Sequence, residues 1–248
     1  MEIKLKQDEH LDYLLKDRVP IIQTNDSFSF SLDTILLANL ARPLVHDNYR
    51  IADLCAGNGA ASLYLAQFNQ AQYDLVELQE PMADIAARSI ALNELESRLH
   101  VHQGDVNEVT TFLKKDNYDL VICNPPYFKV PEGHRINPAE KKAIARHEIM
   151  VNLEQVVAAA SQLLKTRGKF YLVHRPERLA EIVLTLHKYD LHLKIVQPYI
   201  PKPGKNANLI VIQAIKSSSD DGVVLKPDIV VHQSNTEYTK EISDIFNV

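Results

Sequence analysis

From residue 50 to residue 216 the chain alternates short apolar runs with stretches of helical period, and this alternation commits it to a largely parallel sheet covered by helices. Ile51-Ala52-Asp53-Leu54-Cys55 reads as the first strand of the series, followed by a Gly-containing loop and a helix through Leu63, Leu65 and Ala66. Tyr73 to Leu78 is the next strand. Pro81, acceptable in a first helical turn, opens a helix to about Leu95. A strand at Leu99 to His102, a short helix near Val109 to Leu113 and a fourth strand at Tyr118 to Cys123 follow. Residues 128–138 carry Pro131, Gly133 and Pro138 with little periodicity and read as a long loop. Asn152 can cap a helix to Leu164; Lys169 to His174 is a strand, Pro176 to His187 a helix, and Leu191 to Ile200 and Leu209 to Ile215 are strands. The last two are joined through Pro201-Lys202-Pro203-Gly204 without a helix, so they should pair antiparallel. The fold class expected is α/β: a doubly wound sheet of about seven strands with an antiparallel C-terminal hairpin.

Residues 1–49 read as an N-terminal extension. It should hold a short helix over 9–17, an extended pair from Ile21 to Phe30 about the turn Thr24-Asn25-Asp26-Ser27, and a helix from Leu32 to Leu40 capped by Ser31. Residues 50–216 form the main domain, and 217–248 a polar linker and weakly patterned tail. With 248 residues, 46% of them hydrophobic, the chain can bury one substantial core. No apolar run approaches about 18 residues and the charged start lacks a signal peptide's apolar stretch, so a cytoplasmic protein without a membrane segment is expected. Cys55 and Cys123 offer neither a disulfide framework nor a CxxC pair, and no metal site is expected. A net charge of -5 argues against a grip on nucleic acid over the whole surface, where a domain pI above about 9 is the usual footprint. A local basic face is compatible with it.

Two of the seven glycines, Gly57 and Gly59, lie in Asp53-Leu54-Cys55-Ala56-Gly57-Asn58-Gly59-Ala60, where backbone can approach a ligand at a helix start. The third glycine of a dinucleotide fingerprint is replaced by Ser62. Glu77 closes the second strand 24 residues beyond Asp53 and can accept hydrogen bonds from ribose hydroxyls. Asp105, after the third strand, can accept from an adenine amine with Val106 beside the ring. All three positions fall at strand ends, where open α/β sheets bind ligands. Asn124-Pro125-Pro126-Tyr127 follows the fourth strand. An aromatic or amide amine has its lone pair delocalised into the π-system, so attack on a methyl donor needs that pair localised and aimed. The Asn124 side-chain carbonyl and the Pro125 backbone carbonyl can accept the two amine hydrogens, the prolines fix the turn, and Tyr127 can stack on the planar acceptor.

These motifs resemble the class I S-adenosylmethionine-dependent methyltransferases with an N-P-P-Y motif, which act on amino groups of adenine, guanine or glutamine. Phe28 to Ala38, Ala145-Arg146-His147-Glu148 and Val173 to Arg178 look more specifically like the bacterial tRNA (adenine-N6) methyltransferases that act beside the anticodon of valine tRNA. The resemblance implies a Rossmann-like, seven-stranded methyltransferase sheet and S-adenosylmethionine as cofactor. It implies that Asp53, Cys55, Gly57, Gly59, Glu77, Leu78, Asp105, Val106 and Asn124 border the cofactor, with Asn124 to Tyr127 holding the amine. Gln79 departs from the bulkier apolar residue common at its position. The implied partner is a tRNA, with no stable protein partner. Lys129, Arg135, Lys141, Lys142 and Arg146, set against Glu132 and Glu140, are candidates for its phosphates, and Arg175, Arg178, Lys202 and Lys205 can continue the patch. The alternatives are N5-methylation of glutamine in translation release factors, whose enzymes place a sizeable helical domain where only 52 residues precede Asp53 here, and methylation of rRNA or DNA amino groups.

Overall fold

The computed structural model describes residues 4–16, 18–24, 31–126, 151–217, 222–234 and 237–246. Strands β1 (Glu9–Leu14) and β2 (Val19–Thr24) precede helix α1 (Leu32–Ala41). Then come β3 (Arg50–Leu54), α2 (Ala60–Leu65), β4 (Gln72–Glu77), α3 (Glu80–Leu92), β5 (Leu99–Gln103), the one-turn α4 (Val109–Phe112) and β6 (Tyr118–Cys123). The described chain resumes with α5 (Leu153–Leu163), β7 (Leu164–His174), α6 (Leu179–Lys188), β8 (Leu191–Ile200) and β9 (Leu209–Lys216). Short strands β10 (Val224–Leu225) and β11 (Ile229–Val230) and helix α7 (Lys240–Phe246) complete it.

The main sheet runs β10-β8-β9-β7-β6-β3-β4-β5, with β11 also on β8. Neighbours from β5 through β7 are parallel, while β9 lies antiparallel between β7 and β8. This is the doubly wound, Rossmann-like sheet with an antiparallel C-terminal hairpin. The strand order reverses at β3, because the chain winds outward through β4 and β5 and then returns to place β6 on the other side. Ligands bind such sheets at the carboxyl ends of the strands flanking that reversal. Alternate residues of β3 and β4 serve opposite faces: Ile51 and Leu75 pack toward α1 and α2, whereas Ala52, Leu54 and Val76 pack toward α5 and α6. Both faces are therefore dry, as parallel strands require. α5 starts where its sequence signal lies: Asn152 Oδ1 accepts from the Gln155 N–H at 3.0 Å, and Gln155 Oε1 accepts from the Asn152 N–H at 2.7 Å.

Of the expected helix over 9–17, residues 9–14 are instead β1, with a turn at Leu15 and Lys16, and residue 17 lies outside the described residues. Leu11, Leu14 and Leu15 fall at helical spacing, but so short a segment nucleates a helix poorly. Leu15 and Lys16 take φ of 52° and 50°, turning the chain so that β2 pairs with β1 from Leu14↔Val19 to Glu9↔Thr24. The extended pair expected about residues 24–27 is corrected in the same way: its first strand belongs to β2 and pairs backward, and residues 25–30 lie outside the described residues. The hairpin is fastened to α3. Arg88 donates to both Glu9 carboxylate oxygens, the Ile22 N–H to Ser89 Oγ at 3.0 Å, and Asn93 Nδ2 to the Pro20 carbonyl at 2.8 Å.

The described part of 217–248 packs on the main sheet and its core. β10 and β11 extend the sheet beyond β8, and Ile242 and Ile245 of α7 enter the core that holds α1 and α2. The Tyr64 hydroxyl faces both Asn39 Oδ1, at 3.2 Å, and the Ile245 carbonyl, at 3.3 Å, so α1, α2 and α7 meet at one buried ring. No described helix is long and apolar enough to cross a membrane.

Candidate functional site

The site lies on the rim formed by the carboxyl ends of β3, β4, β5 and β6. Immediately after β3 the backbone turns through three left-handed residues, Cys55 at φ 57°, Gly57 at φ 57° and Gly59 at φ 81°, before α2 begins. Ala56 is tied across to β4 by its N–H to the Val76 carbonyl at 3.0 Å. A Cβ on Gly57 would find only Met82 Cε, 3.9 Å away, so this position leaves the backbone open to a ligand. A Cβ on Gly59 would meet Leu75 Cδ2 at 3.2 Å and Ala86 Cβ at 3.5 Å, which makes Gly59 the point where loop, β4 and α3 close on one another. Gly59→Ala is expected to cost roughly 1–2 kcal/mol from the left-handed backbone, lowering Tm by about 2–8 °C for a chain of this size. Calorimetry that finds the variant as stable as the parent would remove this packing role.

Two buried carboxylates stand behind the loop. Asp53, 2% exposed, accepts from the Ser62 hydroxyl at 2.7 Å. Burial pushes its carboxyl up to about 7, the Ser62 bond opposes this, and the Glu77 charge adds to it. Ser62, which breaks the dinucleotide fingerprint, thus has a definite partner. Glu77 accepts from the Gly57 N–H and the Gln79 N–H, each at 2.9 Å. Burial raises its pKa, and these backbone bonds, with one from Leu78, pull the other way. A carboxylate offers about four lone-pair directions. Glu77 can therefore join the loop to the end of β4 and still accept from a ribose hydroxyl. Leu78 beside it is 37% exposed, an apolar surface at the rim. Across β4, Asp105 caps the turn Val106–Glu108, its Oδ1 accepting from Asn107 N and Nδ2 at 2.8 Å each, while Val106 is buried beneath.

β6 brings Asn124 and the prolines to the same rim, since Leu54 pairs with Cys123 in register. Pro125 is buried; Asn124 and Pro126 are half-buried. Asn124 Nδ2 donates to Thr34 Oγ1 of α1 at 2.7 Å. With its nitrogen directed there, the amide has its carbonyl as the acceptor end. Cys55 and Cys123 are both free thiols, and burial followed by the Cys55 contact drives the Cys123 thiol upward. The rim thus brings together Asp53, Cys55, Gly57, Gly59, Glu77, Leu78, Asp105, Val106, Asn124, Pro125 and Pro126. Tyr127, Lys129, Arg135, Lys141, Lys142 and Arg146 lie outside the described residues.

Two further residues at this rim carry no signature of a role in the sequence. Thr34 belongs to the Phe28–Ala38 stretch, but its partner is 90 residues away and no local pattern joins them. His174 ends β7 next to the β6 terminus and is 1% exposed, with Nδ1 accepting from the Arg175 N–H at 2.8 Å. Burial, reinforced by the Arg178 and Arg175 charges against the pull of Glu181, lowers it to about 4, so it is neutral at pH 7. Of the possible extension of the basic patch, Arg178 is committed to Glu181 at 2.7 Å and Arg175 donates to the Asn208 carbonyl at 2.8 Å.

Comparison with known proteins agrees with this architecture. The family model described as methyltransferase small domain matches residues 31–189. The tRNA1(Val) (adenine(37)-N6)-methyltransferase of Aeromonas salmonicida is 29% identical over 211 residues, 84% of each chain. That of Dyadobacter fermentans is 26% identical over 192 residues, covering 77% of this chain and 78% of its own. Among solved structures, a predicted O-methyltransferase from Agrobacterium tumefaciens superposes with a TM-score of 0.68 at 27% identity, covering 87% of this chain and 95% of that one. Geranyl diphosphate C-methyltransferase from Streptomyces coelicolor, solved with S-adenosyl-L-homocysteine, shares the fold at a TM-score of 0.56 and 10% identity, over 73% of this chain and 76% of its own.

Proposed function

This chain belongs to the methyltransferase small domain family, and from that premise we propose that it methylates N6 of an adenine in a tRNA anticodon loop, adenine 37 of valine tRNA. The protein is a methyltransferase and its cofactor is S-adenosylmethionine, which supplies the methyl group. The donor set at the rim fits that cofactor: Gly57 gives close backbone approach for the methionine part, Gly59 lets the loop beside it close on β4 and α3, the Glu77 carboxylate suits ribose hydroxyls, and Asp105 with Leu78 and Val106 suits the adenine. Asp53 acts from behind, holding the start of α2 through Ser62.

The observation that carries the acceptor chemistry is the Asn124 amide, its nitrogen given to Thr34 and its carbonyl thereby the acceptor end, just past the end of β6 and beside the glycine loop. The Asn124 and Pro125 carbonyls take the two hydrogens of the N6 amine and favour a pyramidal nitrogen with its lone pair aimed at the donor. Tyr127 stacks on the base. No strong base is required before attack, because the amine proton leaves during or after bond formation. A hydroxyl acceptor has one hydrogen rather than two and would use only half of this arrangement.

The curated relatives named for adenine 37 of tRNA favour RNA over protein. An anticodon-loop adenine is already partly unstacked, so bringing it to the rim costs less than flipping a duplex base. Lys129, Arg135, Lys141, Lys142 and Arg146 hold the RNA backbone. Lys141→Glu combined with Lys142→Glu is expected to raise the KM for RNA and to reduce the salt slope by about one unit per lost phosphate contact. Unchanged RNA kinetics would move the contact surface elsewhere. The acceptor class is tested by offering small RNA and release factor together with labelled cofactor: label is expected in RNA, and label confined to protein would replace this reading with glutamine methylation.

A further inference from the structure

We propose that Thr34 is a positioning residue for methyl transfer, holding the Asn124 side chain so that its carbonyl rather than its NH2 group meets the acceptor amine. The inference rests on the amine-holding role proposed for Asn124. A side-chain amide turns easily about its last torsion, and the two ends are equal in size but opposite in function. Turned the wrong way, Asn124 would present N–H donors to a substrate that itself offers N–H donors. The bond from Asn124 Nδ2 to Thr34 Oγ1, 2.7 Å long, opposes that rotation. A hydroxyl can serve either end of an amide. Here the Thr34 hydroxyl faces the Asn124 nitrogen as acceptor, and Ser31 Oγ, 3.4 Å from Thr34 Oγ1 in a contact where either hydroxyl can donate, is the other hydroxyl beside it.

Thr34 stands on a rigid mount. The next four residues of α1, Ile35 to Ala38, are each 0% exposed, and Asn39 meets the Tyr64 hydroxyl that also faces the Ile245 carbonyl. A group held by such packing can fix its neighbour's geometry to the tolerance catalysis needs. α1, which the sequence places in an extension ahead of the main domain, thereby contributes to the reacting centre.

Thr34→Val keeps shape and volume and removes the hydroxyl. It is expected to lower kcat by about 10- to 100-fold, the scale of a small misplacement of a reacting group, while cofactor Kd stays within about 2-fold and Tm within a few degrees. Thr34→Ser, which restores the hydroxyl, should return kcat to within a few-fold of the parent. In an Asn124→Ala background, Thr34→Val should have no further effect, because the group it positions is gone. These rates are read as labelled methyl transferred under single-turnover conditions to whichever acceptor, small RNA or release factor, takes the label. Near-parent kcat for Thr34→Val with Asn124→Ala inactive would overturn the positioning role alone. An equal loss in both backgrounds, or a Thr34→Ser variant as slow as Thr34→Val, would overturn it by exposing a merely structural effect. Near-parent turnover in Asn124→Ala itself would remove both the amine-holding reading and this inference.

Discussion

Asn124→Ala is expected to lower kcat by about 100- to 1000-fold, the range seen when one preorganised hydrogen-bonding group is taken from a reacting centre, with cofactor affinity changed by no more than a few-fold. The asymmetry follows from position. Asn124 is proposed to border the cofactor, but the bonds proposed for its carbonyl run to the acceptor amine and strengthen as that nitrogen becomes pyramidal and its hydrogens more acidic. An interaction gained on approach to the transition state appears in kcat. Calorimetric binding of the cofactor and single-turnover methyl transfer on the same variant separate the two quantities. A variant that binds cofactor tens of fold more weakly and turns over normally would make Asn124 a cofactor ligand and leave the amine unheld.

Glu77→Gln should show the opposite pattern. The carboxylate accepts from two backbone N–H groups at 2.9 Å and is proposed to accept from the ribose as well. An amide in its place turns one acceptor oxygen into a donor that faces N–H groups, and it weakens what remains by removing the charge. Loss of charge-assisted bonds of this kind totals about 3 kcal/mol, which is about 100-fold in Kd. At saturating cofactor kcat should fall little, because the role proposed for this group is to hold the ribose and not the acceptor amine. The sign with pH is also set. Burial raises the Glu77 pKa, so as pH falls this group takes up a proton before an ordinary glutamate does, and cofactor affinity should start to weaken above the usual carboxylate range. Cofactor titrations across pH on parent and variant check both statements, since the variant should lose that part of the pH dependence.

The parts of the fold legible from sequence are those in which one short stretch carries the whole signal. β3, β4 and β6 are mostly apolar runs and β5 alternates Leu99 and Val101 with histidines, each bounded by a glycine, proline or carboxylate soon after, and α5 begins on a capping box written in four consecutive residues. Each states its structure without reference to the rest of the chain. β1 does not. Leu11, Leu14 and Leu15 fit a helix as well as a strand, and the decision rests with β2 and with the salt bridge from Glu9 to Arg88, 79 residues on. α7 is hidden for a similar reason, because seven residues with two buried apolar side chains, Ile242 and Ile245, make too weak a period to stand out. At the site, the glycine loop, Glu77 and the run Asn124-Pro125-Pro126-Tyr127 carry local signatures. Thr34 carries none, since its meaning comes from packing α1 against β6 and β7, and His174 gains its neutral state only once β7 and the Arg178 turn are folded around it.

The most direct test of the account is the identity of the methylated product. Small RNA incubated with this protein and labelled S-adenosylmethionine, then digested to nucleosides, should carry its label in N6-methyladenosine, and the labelled RNA should be valine tRNA modified beside its anticodon. Label in N5-methylglutamine of a release factor, with the RNA left unlabelled, would contradict it.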